Sequence, residues 1–518
     1  MMACILANKL SSRLGVPVLL LFILLGIVFG SDGLFKIQFD NYEITESLSS
    51  VALIFIMFYG GFGTCWRVAK PVALPAVLLS TFGVVITAAL TGLFCHFALK
   101  MTILEGLLIG AIIGSTDAAS VFSVLRTQNL NLKHGLASLL EIESGSNDPT
   151  AYMLTIVILS LMRSGENVAF GKILASQIGF GLLFGFLTAF AAVFVLKRVH
   201  FENGGLESIL VVAIAFISYA LPATISGNGY LAVYITGIVL GNSKIHHKTQ
   251  LVHFFDGITW IMQIMLFFVI GLLAYPSQIP SILLPAVLIA LFLTFVSRPI
   301  AVFALLTPFR FPFKQQLLVA WSGLRGAASI VFAIMAVVDT AYTGGSDIFH
   351  IVFCVALLSV GFCGTLLPFI AKKLDLVDDS DPVFKTFTDY DHLSQMPLLD
   401  ITVTEGHPWA GKTVSEMQLP ADLLIIMIKR RQRAILPRGK TKIIPGDVLI
   451  VSGTVYQEEA ENVLNEELIY EGHDWQNKRI KDVEGDKNIL LLRRNHTTMI
   501  PTRDTVLLKN DTVVFSEK

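Results

Sequence analysis

Glu141-Ile142-Glu143-Ser144-Gly145-Ser146-Asn147-Asp148-Pro149 decides how this chain is read. The stretch lies inside an apolar run, 136–162, long enough to cross a bilayer, yet it brings three carboxylates into it. A charge at mid-bilayer costs roughly 2.5–3.5 kcal/mol even on insertion scales. Such charges persist where an ion or proton path needs them, so the stretch points to transport.

Around it the composition is that of a membrane protein. The 518 residues are 54% hydrophobic and only 15% charged, where soluble chains are nearer a quarter charged. Apolar runs occur near 15–30, 47–63, 72–98, 103–125, 136–162, 168–196, 206–221, 228–242, 253–274, 280–307, 315–338 and 347–371. Residues 1–8 look like the end of a further helix. From 372 onward the composition is that of a soluble domain. The expected fold is an α-helical polytopic membrane protein of about twelve full spans plus an N-terminal stub, followed by a small α+β domain. The expected divisions are 1–371 for the membrane part, 372–396 for a linker, 397–468 for a first soluble module and 469–518 for a truncated second copy. A net charge of −1 argues against a nucleic-acid partner. The five cysteines all lie in or beside apolar runs without CxxC spacing, which predicts neither disulfides nor zinc. No cofactor is expected, and no nucleophile–base pair suggests an enzyme.

The turns between runs carry an orientation signal. Alternate turns, from Lys9 and Arg13 through Arg67, Lys70, Arg126, Lys133, Lys197, Arg198, Lys244, Lys248, Arg310 and Lys314 to Lys372 and Lys373, hold fourteen basic residues. The other set holds four: Lys36, Lys100, Arg163 and Lys172. The rich set is cytoplasmic by the positive-inside rule, which predicts a cytoplasmic tail. Gly114-Ser115-Thr116-Asp117-Ala118-Ala119-Ser120-Val121 also resembles Gly323-Leu324-Arg325-Gly326-Ala327-Ala328-Ser329-Ile330. Counting the stub, these segments lie seven spans apart and so cross in opposite directions. That is the pattern of an inverted repeat, which places a transport site on broken helices at mid-depth.

Asp117 and Asp148 both fall at mid-depth by helical rise. Ser144 and Asp148 share a helix face, and Glu143 and Asn147 form the adjacent stripe. With Thr116 they make a cluster of oxygen ligands suited to a monovalent cation. A carboxylate there can hold either a proton or a cation, the minimum an antiporter requires. The alternative is structural, with carboxylates paired to Arg298 or Arg325. Glu143 is assigned that role, with Arg325 as its partner. His96, His246 and His247 are read as solvated, and Ser226-Gly227-Asn228-Gly229-Tyr230 as an extracellular turn.

At these motifs the membrane part resembles the cation:proton antiporter superfamily, in its NhaP-like branch of bacterial potassium/proton and sodium/proton antiporters. The resemblance rests on Gly114–Asp117, Glu143–Pro149, Ser226–Tyr230 and Gly323–Gly326. It implies a homodimer in the plasma membrane, with two crossed, unwound helices in each protomer. It implies Asp148 as the exchange carboxylate, with Thr116, Asp117, Ser144 and Asn147 shaping the ion site and Glu143–Arg325 as a structural pair. Asn147 beside Asp148 implies electroneutral exchange of potassium, or alternatively sodium, for protons. Ala118 stands where relatives often have proline. Tyr59 stands where many have an acid before Gly60-Gly61, so a cation funnel or second titrating group is expected to be missing. A channel or a ligand-binding sensor are the rival readings.

In the tail, β-type runs at Leu398–Thr404, Leu423–Lys429 and Val448–Ser452 and a helical segment at 457–465 resemble the RCK-C or TrkA-C module of potassium-transport systems. Glu405-Gly406-His407-Pro408-Trp409 recurs as Glu471-Gly472-His473-Asp474-Trp475, and Asp447-Val448 as Asp511-Thr512. No GxGxxG follows residue 372, so NAD or ATP control is not expected. The resemblance leaves room instead for a small anionic effector such as a cyclic dinucleotide; Lys429, Arg430, Arg431 and Arg433 supply positive charge, which a solvated basic strand edge explains equally.

Overall fold

A computed structural model describes the chain except at residues 1, 7–17, 129, 165–169, 200–203, 246, 343, 345, 379–397, 406, 408, 418–423, 431–432, 453–463, 471–472, 484–486, 495–496, 500–503 and 518. Lys9, Arg13, His246, Arg431, most of the expected linker and 457–463 of the expected tail helix lie outside the described residues. The chain forms two units, Met1–Leu393 and Ser394–Lys518.

After a helical turn at 2–6, the first unit runs α1 Val18–Phe29, α2 Tyr42–Gly63, α3 Lys70–Leu99, α4 Ile103–Ile112, α5 Ala118–Thr127, α6 Leu136–Ser164, α7 Phe170–Arg198, α8 Gly204–Ala223, α9 Gly229–Gly241, α10 Lys248–Leu273, α11 Pro276–Phe309, α12 Phe313–Trp321, α13 Ala327–Val338 and α14 Ile348–Lys373. Each apolar run falls on one helix or, for 103–125 and 315–338, on a pair separated by a break. Among the described residues, seven helices are long and apolar enough to span a membrane unaided.

Local chemistry sets the helix ends. The Asn41 side chain accepts the Ile44 amide at the start of α2, and Thr102 with Glu105 forms a reciprocal capping box on α4. The helices then pack closely through small residues. A Cβ at Gly61 would lie 2.3 Å from the Tyr234 carbonyl oxygen, so α2 and α9 meet backbone to backbone. π-helical segments interrupt α3 at Leu79–Gly83, α11 at Leu293–Ser297 and α14 at Ser359–Gly364. Such interruptions gather at functional sites; here two of them adjoin the buried arginines described below.

The membrane unit does not stop at 371. The Lys133 amide donates to Leu376 O and the Asp378 amide to Asn131 O, each at 2.9 Å, so residues expected to start a linker fold back on the turn after α5. Lys133 also pairs with Asp375 at 3.1 Å.

The second unit holds two four-stranded antiparallel sheets. Strands β1 Leu398–Thr402, β2 Leu424–Arg430, β3 Arg433–Ile435 and β4 Val448–Ser452 are ordered β1-β4-β2-β3. Strands β5 Leu464–Leu468, β6 Lys487–Arg494, β7 Thr497–Met499 and β8 Thr512–Glu517 are ordered β5-β8-β6-β7. Both sheets carry a register shift in the long second strand, at Ile425/Met427 and at Ile489/Leu491. β5 pairs along its whole length with β8. The second sheet therefore takes in residues 464–468, which the sequence reading gave to the first module. Each sheet has its own apolar core, one around Ile428, Leu449 and Val451, the other around Ile469, Leu492 and Val513.

The repeat extends to buried charge. In the first sheet Arg430 donates from Nε and Nη2 to the two oxygens of Asp447, each at 2.8 Å, and from Nη2 to Lys442 O. In the second, Arg494 does the same to Asp511 at 2.8 and 2.6 Å and to Val506 O. The Arg430 hydrogen bond holds the Asp447 carboxyl below its ordinary range. Burial pushes Asp511 up, but its bonds to Arg494 and the Leu508 amide outweigh that and leave it low. Arg430 is thus engaged with Asp447, a use the effector reading did not foresee.

Candidate ion site

Two helix breaks meet at the centre of the membrane unit. α4 ends at Ile112, and residues 113–117 are unwound before α5. α12 ends at Trp321, and residues 322–326 are unwound before α13. The Asp117 amide donates to Leu324 O at 2.8 Å, tying one break to the other. Gly326 is required here, because a Cβ on it would lie 2.2 Å from Asp117 Oδ2. Asp117 also caps α5: Oδ1 accepts the Ser120 amide at 3.2 Å, and Oδ2 accepts Ser120 Oγ at 2.5 Å. A carboxylate suits this position, beside the positive end of the helix dipole.

Arg325 serves the opposite helix end. Its Nη1 donates to Gly114 O at 2.8 Å and Ser115 O at 2.9 Å, carbonyls left without helical partners where α4 stops. Its own amide donates to Ser359 Oγ in the π segment of α14. The expected Glu143–Arg325 pair is not formed. Glu143 Oε1 instead pairs with Arg298 Nη1 at 2.5 Å, and both side chains are almost fully buried. The physical reason is local: the break in α4 already claims the Arg325 guanidinium.

α6 grips the first break with three polar side chains, those of Ser144, Asn147 and Asp148. Ser144 Oγ donates to Thr116 O at 2.8 Å, Asn147 Nδ2 to Thr116 Oγ1, and Ser115 Oγ to Asp148 Oδ1. Pro149 continues α6 without an amide proton to give back to Gly145 O. One turn from Asp148, Gly145 has no room for a side chain, since a Cβ would press on the Tyr234 ring.

These residues face a cavity of about 400 Å³. Ser115, Thr116, Asp117, Ser144 and Asp148 all line it. Glu143 and Asn147 do not; Asn147 braces Thr116 from behind, with its Oδ1 buried and unpartnered. The cavity extends past Glu141 to Asp256 on α10, which accepts a hydrogen bond from the Tyr59 hydroxyl at 3.1 Å. Among the described residues the lining includes four carboxylates and no Lys, Arg or His. Such a cavity concentrates small cations.

Sequence reasoning missed three residues. Ser115 binds Asp148 directly and stands in the quoted Gly-Ser-Thr-Asp run. Asp256, an acid inside an apolar run, carries the same signal that drew attention to Glu141–Pro149. Asn228 lies in the segment read as an extracellular turn. It is buried, donates to Pro149 O at 2.8 Å and accepts the Leu231 amide at 3.0 Å as the cap of α9. Tyr59 does replace the acid expected before Gly60-Gly61, but its hydroxyl holds an acid from another helix at the same cavity.

Comparison with known proteins agrees with this geometry. Residues 1–373 match the model of the "Sodium/hydrogen exchanger, transmembrane" family, and residues 398–462 that of the TrkA-C domain. The chain is 35% identical over 458 residues to the K(+)/H(+) antiporter NhaP2 of Shewanella baltica, spanning 87% of this chain and 78% of that one. It is 36% identical over 385 residues to the K(+)/H(+) antiporter NhaP of Alkalimonas amylolytica, spanning 73% and 66%. Among solved structures, the sodium proton antiporter MjNhaP1 of Methanocaldococcus jannaschii at pH 8 superposes with a TM-score of 0.62 at 25% identity, over 72% of this chain and 97% of that one.

Proposed function

The chain belongs to the sodium/hydrogen exchanger family, and from that premise we propose that it exchanges potassium for protons across the plasma membrane. It is a membrane cation/proton antiporter, not an enzyme, and it carries a TrkA-C domain. The observation that carries the site assignment is Asp148 in a cavity whose lining, among the described residues, holds four carboxylates and no Lys, Arg or His. Asp148 takes up a proton or a cation in turn. Thr116, Asp117 and Ser144 supply oxygens around it, and Asn147 fixes Thr116. Potassium is favoured because the Shewanella baltica and Alkalimonas amylolytica relatives, which align with 87% and 73% of this chain, are K(+)/H(+) antiporters.

The same reading makes the exchange electroneutral, with one exchanging carboxylate beside Asn147. It places the lysine- and arginine-rich turns and the tail in the cytoplasm. The family resemblance supports a homodimer. The matching strand order, register shift and Arg–Asp pair support 464–517 as a second copy of the TrkA-C module. A cyclic dinucleotide is the effector proposed for the tail.

The test is dissipation of a pH gradient in proteoliposomes as potassium, sodium or lithium is added. Potassium drives proton movement in the wild type, and Asp148→Asn abolishes it while the protein still inserts. Normal exchange in that variant removes Asp148 from the mechanism; a response to sodium alone makes the chain a sodium/proton antiporter.

A further inference from the structure

The carboxylate site forms one part of the cavity lining; another part has no role in the exchange as described. It is a face of α10. Asp256, Thr259 and Gln263 are spaced i, i+3, i+7, so they form one stripe, and all three line the cavity. The stripe is graded. Asp256 at the mouth is exposed, whereas Thr259 one turn deeper is only 6% exposed.

Two details separate this stripe from an ordinary solvated helix face. The first is Thr259. A threonine hydroxyl inside a helix ordinarily donates back to the carbonyl four residues earlier. Thr155 and Thr188 do so here, at 2.8 and 2.7 Å. Among the described residues Thr259 Oγ1 has no hydrogen-bond partner although it is buried, and Thr259 lines the cavity. A buried hydroxyl without a partner is disfavoured unless a ligand or water completes it. The second detail is Asp256. The Tyr59 hydroxyl from α2 donates to Oδ1 and holds the carboxylate against the cavity, and among the described residues Oδ2 receives no donor.

We infer that Asp256 and Thr259 form an outer station for a partly hydrated monovalent cation, occupied before the ion reaches Asp148. The chemistry fits: one carboxylate oxygen and one hydroxyl oxygen are offered from the same helix face, and among the described residues no cationic side chain lines the cavity. A station of this kind raises the local cation concentration and acts on capture rather than on proton exchange. Its effect weakens as added salt screens the carboxylate. The inference rests on the antiporter reading above.

The experiment is a potassium titration of exchange in proteoliposomes for the wild type, Asp256→Asn, Thr259→Val and Asp256→Glu, with Asp148→Asn as the blank. Asp256→Asn raises the half-saturating potassium about tenfold, the lower end of electrostatic focusing at a charged cleft, and Thr259→Val raises it in the same direction by removing an oxygen ligand. The maximal rate and its pH profile stay as in the wild type. Asp256→Glu keeps the low half-saturation, which shows that the charge matters and not merely the packing. Choline chloride raises half-saturation more in the wild type than in Asp256→Asn, where one of the four lining carboxylates is gone. An active wild type with unchanged half-saturation in both variants overturns the station and leaves the antiporter reading standing. So does a fall in maximal rate alone. A wild type no more active than the Asp148→Asn blank overturns both.

Discussion

Replacing Arg298 by methionine strands Glu143 in a site where its side chain is 2% exposed. Breaking a buried ion pair from one side costs about 3–5 kcal/mol, because the remaining charge has neither water nor a partner. Glu143→Leu strands Arg298 in the same way, with its side chain 4% exposed. Removing both leaves an apolar contact between α6 and α11, and such replacements range from neutral to stabilising by about 1–4 kcal/mol. The double variant Glu143→Leu/Arg298→Met should therefore recover most of what either single variant loses, a coupling of at least about 3 kcal/mol. Thermal unfolding of purified protein in detergent, followed by tryptophan fluorescence, orders the four proteins. Potassium-driven proton exchange should survive in the double variant, because neither residue lines the cavity. If the losses add instead of cancelling, the Glu143–Arg298 pair is wrong. If Glu143→Leu rescues Arg325→Met better than Arg298→Met, Arg325 is the partner after all.

Other perturbations follow from the same contacts. Gly326→Ala drives a methyl group into the Asp117 carboxylate and should lower both the thermal midpoint and the exchange rate, whereas Gly60→Ala, with nothing within 4 Å, should leave the midpoint unchanged. Asn228→Ala leaves the Leu231 amide without its cap and Pro149 O without its donor, a loss of about 1–3 kcal/mol that unfolding midpoints would register. Arg430→Met leaves Asp447 buried and unpaired; hydrogen exchange on the full chain should show lost protection in β4 at pH 7. In the wild type the Asp447 pair contributes fully above the ordinary aspartate pKa near 3.8. Protection of β4 should then fall only as pH drops through the depressed value of the folded carboxyl.

Much of the fold is legible in the sequence because hydropathy and helix breaking are local properties. The apolar runs fall on helices because each must satisfy its own backbone hydrogen bonds in lipid. The two breaks are visible because Gly114, Gly323, Gly326 and the capping Asp117 disfavour a continuous helix wherever they stand. Ser144 and Asp148 could be placed on one face from their spacing alone. Partners across elements are another matter. Arg298 and Arg325 are both arginines in apolar runs, and only the geometry of the α4 break decides which is left for Glu143. Asn228 looks like a turn residue and is one, but whether a turn is buried depends on what packs over it. The tail boundary slipped for a similar reason: β5 looks like the end of the first module until its pairing with β8 is seen.

Pro149 has one further consequence. The peptide carbonyl of Gly145 points toward a residue that has no hydrogen to offer, and Gly145 lines the cavity beside Asp148. A cation that sheds water at this depth must be solvated again by protein oxygens. A carbonyl freed by proline is an oxygen without another formal charge, and it belongs to the main chain, where no side-chain rotation can withdraw it. The helix thereby gives up one internal bond and leaves a fixed dipole one turn from the Asp148 carboxylate.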